Sequence, residues 1–157
     1  MKLKVDFQKA CVEQTPSAED FEKWIQSTAN TVKCGEKQIE INIRAVGEQE
    51  MLCLNSTFRK KANLTNVLSF PANFPKEVEV NLLGDIAICA SVVQKEASEL
   101  GKSEKAHWAH LTVHGMLHLI GYNHINEKES VKMESLETSI LADLGISNPY
   151  AERAVSE

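Results

Sequence analysis

The hydrophobic period of this chain changes midway, and that change limits the folds open to it. Before residue 90, extended segments alternate. "KLKVDFQ" places Leu3, Val5 and Phe7 on one side, and "QIEINIRAV" does the same with Ile39, Ile41, Ile43 and Ala45. Period-two alternation marks a half-buried strand. "TNVLSFP" reads as a third strand stopped by Pro71, and "LLGDIAICA" as a fourth, buried on both faces or nearly so. Two helices interrupt them. One starts at a Ser17 cap with Asp20 three residues on and carries Phe21, Trp24, Ile25 and Thr28 at helical spacing. The other is "GEQEMLCLNSTFRKK", whose basic end suits the helix dipole. "ANFPKEVEVN" reads as an exposed loop or hairpin arm.

From Ser91 onward the spacing is helical throughout. Helices are expected over "SVVQKEASELG", ending at Gly101; from a Ser103 cap to Gly121; and from Asn126 to Gly145. This pattern predicts an α+β fold, one small mixed β-sheet of about four strands packed with about five helices. The 157 residues suit a single domain, 1–157, with the tail from about residue 146 frayed.

The bulk numbers exclude little but point one way. Hydrophobic content of 43% and charged content of 25% are ordinary for a globular domain, and no apolar run is long enough to span a bilayer. The N-terminus lacks the apolar core of a signal peptide, so a cytoplasmic protein with no membrane association is expected. Cys11, Cys34, Cys53 and Cys89 are scattered without a CxxC pair and read as reduced, mostly buried thiols. The net charge of −5 argues against a general nucleic-acid binder. The charge is uneven, however. Lys and Arg number 10 against 9 acidic residues in 1–61, and 7 against 13 in 62–157. "FRKK", Phe58 to Lys61, is a dense basic cluster able to meet phosphate within an acidic chain.

The chemistry concentrates in "HLTVHGMLHLIGYNH", residues 110–124, which holds four of the five histidines. His114 and His118 are four apart on a helix, about 6 Å along its axis, and face the same way. Two such imidazoles can converge on one ion. His110 extends the row, but His110 to His118 is about 12 Å of rise, too far for a straight helix to bring all three together. Gly121 permits a positive φ, so the chain can leave the helix and bring His124 back toward the pair. Two helical ligands, a glycine turn and a third ligand is the spacing of the metzincin zinc site. Three nitrogens leave a fourth position open, as in a catalytic rather than a structural site. Zinc fits three imidazoles, one ion per chain; nickel, copper or another divalent transition metal would also bind. His107 and His110 are read as non-ligands, with His110 able to support His114 by a hydrogen bond from beneath.

Gly115 stands where a zinc peptidase would carry its glutamate base. A metal lowers the pKa of water toward about 7 without help. Peptide hydrolysis also needs a proton for a poor amine leaving group, so the missing carboxylate counts against it. Phosphodiester cleavage depends more on neutralising charge at the phosphate.

At this point a resemblance emerges. "HGMLHLIGYNH" (114–124) resembles the signature of the YbeY family, metal-dependent bacterial endoribonucleases of ribosomal RNA maturation, and "TNVLSFP" (65–71) and "LLGDIAIC" (82–89) look like its two other blocks. The resemblance covers most of residues 40–145 in the expected order. It implies an α+β domain with a zinc-like ion on His114, His118 and His124. It also implies single-strand-specific endoribonuclease activity in rRNA processing at the small-subunit rRNA end, in ribosome biogenesis and in ribosome quality control. The implied partners are single-stranded RNA, rRNA, the small ribosomal subunit and its assembly factors. The family's arginine falls on Arg59. Alone, "FRKK" reads as a solvated helix end; with the resemblance, Arg59 is expected at the scissile phosphate, where its guanidinium fork fits phosphate oxygens.

The neighbours carry weaker expectations. Lys60 and Lys61 steer RNA or simply solvate. Ser69 contacts the substrate backbone or serves structure. Asp85, in an apolar strand, supports the ligands from behind or caps an element. The family signature commonly has aspartate where Asn123 stands; asparagine can hold the turn but adds no charge. Tyr122, Trp24 and Trp108 are expected to pack. The attacking group is activated water or the ribose 2′-hydroxyl. Two other readings stay open: a zinc hydrolase of another substrate class, such as a peptidase, and a non-catalytic ribosome-assembly module with a structural metal.

Overall fold

The computed structural model describes residues 3–32, 38–72, 82–123 and 125–150. Four strands, β1 (Leu3–Ala10), β2 (Ile39–Val46), β3 (Val67–Pro71) and β4 (Leu82–Cys89), form one sheet in the order β1-β2-β4-β3. β1, β2 and β4 run parallel, and β3 joins β4 antiparallel as an edge strand. Five helices accompany them: α1 (Ala18–Thr31), α2 (Glu48–Arg59), α3 (Ala90–Leu100), α4 (Glu104–Ile120) and α5 (Glu127–Asp143). The expected α+β architecture is thus present. The loop expected over 72–81 lies, from residue 73 on, outside the described residues, as does Cys34.

Local signals explain several helix ends. The Ser17 hydroxyl accepts from the Asp20 amide at 3.2 Å, and the Asp20 carboxylate accepts from the Ser17 amide at 3.1 Å, a reciprocal capping box. Ser103 accepts from Ala106 N at 3.1 Å to open α4, and Asn126 accepts from Glu129 N at 2.9 Å to open α5. Helix α4 stops at Gly121, whose φ of 121° disfavours any residue with a Cβ.

The two sheet faces are used unequally. One carries Ile41, Ile43, Ile86 and Ile88 into a core shared with Phe21, Trp24 and Ile25 of α1, Trp108, Val113, Met116 and Leu117 of α4, and Met133, Ile140 and Leu141 of α5. Fully burying such a side chain contributes about 1.5–3 kcal/mol. The other face has a smaller cluster, Val46, Met51, Leu68, Ala87 and Cys89, beneath α2.

β4 is nearly buried on both faces as expected, with Asp85 its exposed position. One expectation needs correcting. Among the described residues the thiols are not mostly buried: Cys89 is, Cys11 is half-buried and Cys53 lies exposed on α2. Beyond α5, Ile146 N donates to Leu141 O at 2.8 Å, Ile146 packs against the core, and Asn148 Oδ1 accepts from Tyr150 N at 2.8 Å; the tail from residue 151 lies outside the described residues.

Candidate metal centre

Helix α4 is pressed against the sheet at Gly115. A Cβ there would stand 3.0 and 3.1 Å from Ile86 Cγ2 and Cδ1, and 3.2 Å from Ser69 Oγ. The Ser69 hydroxyl donates to the Gly115 carbonyl at 3.0 Å, tying β3 to the helix. A glutamate at position 115 would enter the sheet interface rather than the site. The absence of a base there is therefore a packing requirement of this fold.

One residue before Gly115, His114 turns away from the sheet. Its Nε2 lies 3.1 Å from Nε2 of His118. Two donors of a tetrahedral site with bonds of 2.0–2.1 Å stand about 3.3–3.4 Å apart, so this separation fits a shared ion within a few tenths of an ångström. Two nitrogen lone pairs this close repel unless a proton or cation lies between them. His124 lies outside the described residues, and among the described residues no cluster of three or more ligand side chains is found. The turn leading to it is built for a reversal: Gly121 N donates to Leu117 O and His118 O at 3.1 Å, and Asn123 Oδ1 accepts from Ile125 N at 3.1 Å. Asn123 thus holds the turn. Tyr122 packs against the core, with Lys132 Nζ 5.7 Å from its ring centre.

After this turn α5 doubles back and brings Glu137 to His114. Glu137 is 0% exposed, flanked on its own helix by Met133, Ile140 and Leu141. Its Oε1 meets His114 Nδ1, and its Oε2 accepts from the Tyr150 hydroxyl. His110 Nε2 lies 3.7 Å from the same Oε2 and 3.3 Å from the Tyr150 hydroxyl. Burial pushes this carboxyl up, but the nearby His110 ring and the hydrogen bonds from His114 and Tyr150 outweigh it and hold Glu137 well below the usual carboxylate range. Glu137 and Tyr150 were not singled out from the sequence. Glu137 had a signal, an acid on the apolar stripe between Met133 and Ile140; Tyr150, in the tail, had none. His110 does not bond to His114 directly. It shares Glu137 and Tyr150 with it, its ring edge-on to Tyr150 at 5.5 Å.

A cleft of about 360 Å³ opens beside His114, lined by Asn66, Val67, His110, Leu111, Glu134 and Tyr150 among others. His107 stands further back, buried, with Nε2 2.8 Å from Glu96 Oε1. Burial pushes its pKa down, and Glu96 offsets this only in part.

Arg59 reaches the edge of the sheet from the end of α2. Its Nη2 donates to the Ser69 carbonyl at 2.6 Å, and the guanidinium lies 5.8 Å from the centre of the Phe70 ring. Two hydrogen bonds through Ser69 therefore join Arg59 to the residue next to His114. Ser69 itself is buried, with its hydroxyl engaged by Gly115. Lys60, in a left-handed conformation with φ 56°, and Lys61 are exposed beyond it. Asp85 is placed away from the histidines. Its strand neighbour Ile86 faces α4, so Asp85 points to the opposite face, where it accepts from Asn42 Nδ2 at 2.8 Å.

The family profile described as endoribonuclease YbeY matches residues 4–145. The chain is 47% identical over 156 residues to the endoribonuclease YbeY of Pseudomonas fluorescens, covering 96% of this chain and 97% of that protein. It is 45% identical over 151 residues to that of Colwellia psychrerythraea, covering 95% and 97%. The solution structure of TM1509 from Thermotoga maritima shares the fold, with a TM-score of 0.58, 22% identity, and coverage of 89% of this chain and 91% of that one. The profile match over residues 4–145, with 45–47% identity to these relatives over nearly their full length, places the chain in the endoribonuclease YbeY family.

Proposed function

We propose that this protein is a single-strand-specific endoribonuclease that depends on one divalent metal ion, Zn²⁺ first among candidates, held by His114, His118 and His124. Its substrate is ribosomal RNA, its task maturation of the small-subunit rRNA end and ribosome quality control, and its partners the small subunit and its assembly factors. The observation that carries the metal reading is the pair of Nε2 atoms 3.1 Å apart on α4, in a chain of an endoribonuclease family. When bound, the metal supplies Lewis-acid charge at the phosphate and lowers the pKa of water.

The protein's own residues supply the rest. Glu137 accepts a hydrogen bond from the Nδ1–H of His114 and so leaves the Nε2 lone pair facing outward. Arg59 spends one N–H on Ser69 and offers the remainder of its fork to phosphate oxygens, where charge builds as the bond breaks. Ser69 serves structure, fixing the distance between Arg59 and α4. Lys60 and Lys61 add positive charge for approach of the RNA, and Asn123 shapes the turn.

The test is metal analysis of the purified protein with cleavage of single-stranded rRNA fragments by wild type, His114→Ala and Arg59→Ala. The expected outcome is about one metal per chain. Cleavage should fall at least 100-fold in both variants, with metal lost only from His114→Ala. Folded His114→Ala with full cleavage refutes the reading. Joint loss of fold and activity favours a structural metal instead. Ends bearing a 2′,3′-cyclic phosphate would assign the attack to the ribose hydroxyl; hydrolytic ends would assign it to water.

A further inference from the structure

We propose that Tyr150, acting through Glu137, sets the metal affinity of His114, so that the segment after α5 is a working part of the site. This inference rests on the metal reading above. A carboxylate can only accept, and neutral imidazole carries a single N–H. The contact between Glu137 and His114 therefore places the proton on Nδ1 and leaves Nε2 as the donor facing His118. The carboxylate is fully buried, so its direction depends on what grips its second oxygen. That grip is the Tyr150 hydroxyl.

Tyr150 is itself held in place. Ile146 N closes onto Leu141 O at 2.8 Å, and Asn148 Oδ1 takes the Tyr150 amide at 2.8 Å. His110 abuts the phenol ring at 87°. Side chains from α4, α5 and the segment beyond thus converge on one carboxylate. Without the phenol hydroxyl, Glu137 Oε2 keeps only His110, 3.7 Å away, so the carboxylate can turn from His114 and the His114 ring can exchange tautomers. Glu137 and Tyr150 are positioning residues: they act through His114.

The experiment uses the full-length protein and Zn²⁺ alone as probe. Zn²⁺ affinity is measured by competition with a chromophoric chelator for wild type, Tyr150→Phe, Glu137→Gln and His114→Ala. Long-range ¹H–¹⁵N spectra of the metal-free protein read the histidine tautomers. Loss of such supporting partners weakens metal binding about 10–100-fold. Tyr150→Phe should lie near the lower end of that range and Glu137→Gln near the upper, and the spectrum should show Nδ1–H at His114 in wild type with Nε2–H appearing in Tyr150→Phe. If Glu137→Gln fails to fold, Tyr150→Phe and the wild-type spectrum decide. Folded Tyr150→Phe binding Zn²⁺ within twofold of wild type overturns the proposal, as does Nε2–H in the wild type. If His114→Ala binds Zn²⁺ as wild type does, the metal reading itself falls. Normal wild-type binding with unaffected Tyr150→Phe removes only the role given to Tyr150.

Discussion

Replacing Gly115 tests the claim that close packing, rather than chemistry, excludes a carboxylate beside His114. In Gly115→Ala the new Cβ meets two carbons of Ile86 at 3.0 and 3.1 Å, where comfortable carbon contacts are about 3.5–4.0 Å. Ile86 cannot retreat: it is 1% exposed, on a strand hydrogen-bonded on both sides to β2 and β3. Inserting a methyl into such a core costs about 1–3 kcal/mol. Alanine regains up to about 1 kcal/mol of helix propensity over glycine. The expected net is a loss of about 1 kcal/mol, visible as a lower urea midpoint with unchanged slope and a Tm drop of about 2–4 °C. The displaced helix also shifts His114 relative to Arg59, so RNA cleavage should fall more than stability. Gly115→Glu places a charge at the same interface and should prevent folding, since an unpaired buried charge costs several kcal/mol. A Gly115→Ala protein more stable than wild type would refute the close approach. A folded Gly115→Glu protein that cleaves peptides would refute the whole packing argument.

Further outcomes follow from the same coordinates. Gly84→Ala should be severely destabilising, by more than about 3 kcal/mol, because its Cβ would sit 2.3 Å from the Phe70 carbonyl at a φ of 148°; loss of soluble folded protein by circular dichroism is the check. Ser17→Ala should cost about 1 kcal/mol in urea unfolding and leave cleavage untouched, since the box caps α1 far along the chain from the histidines. Burial holds His107 neutral below its usual pKa, so the unfolded chain binds the extra proton. Its contribution to stability is complete above about pH 6.5 and is lost as pH falls through the depressed value. His107→Gln should flatten stability against pH in that window, read by urea midpoints; a steeper slope would show that Glu96 stabilises a charged His107, and an unchanged one that His107 contributes nothing to the pH dependence. Arg59→Lys keeps charge but loses the fork, and should restore little of the cleavage lost in Arg59→Ala.

The sequence by itself determined whatever depends on neighbours along the chain. Alternation of Ile39, Ile41 and Ile43 is enough to define a one-faced strand, Ser17 with Asp20 enough to start a helix, and Gly121 enough to end one. The four-residue step from His114 to His118 is enough to put two imidazoles on one face, because helix geometry repeats identically wherever it occurs. The tertiary structure alone decided what those faces look at. Period two separates Asp85 from Ile86 but does not say which of them meets α4; the packing of Gly115 on Ile86 settles that and sends Asp85 to the other side. The strand order β1-β2-β4-β3, the grip of Arg59 on Ser69, and the meeting of Tyr150 and His110 at Glu137 all join segments remote in sequence. A buried carboxylate is tolerable only where several donors converge on it, and no local spacing records that convergence.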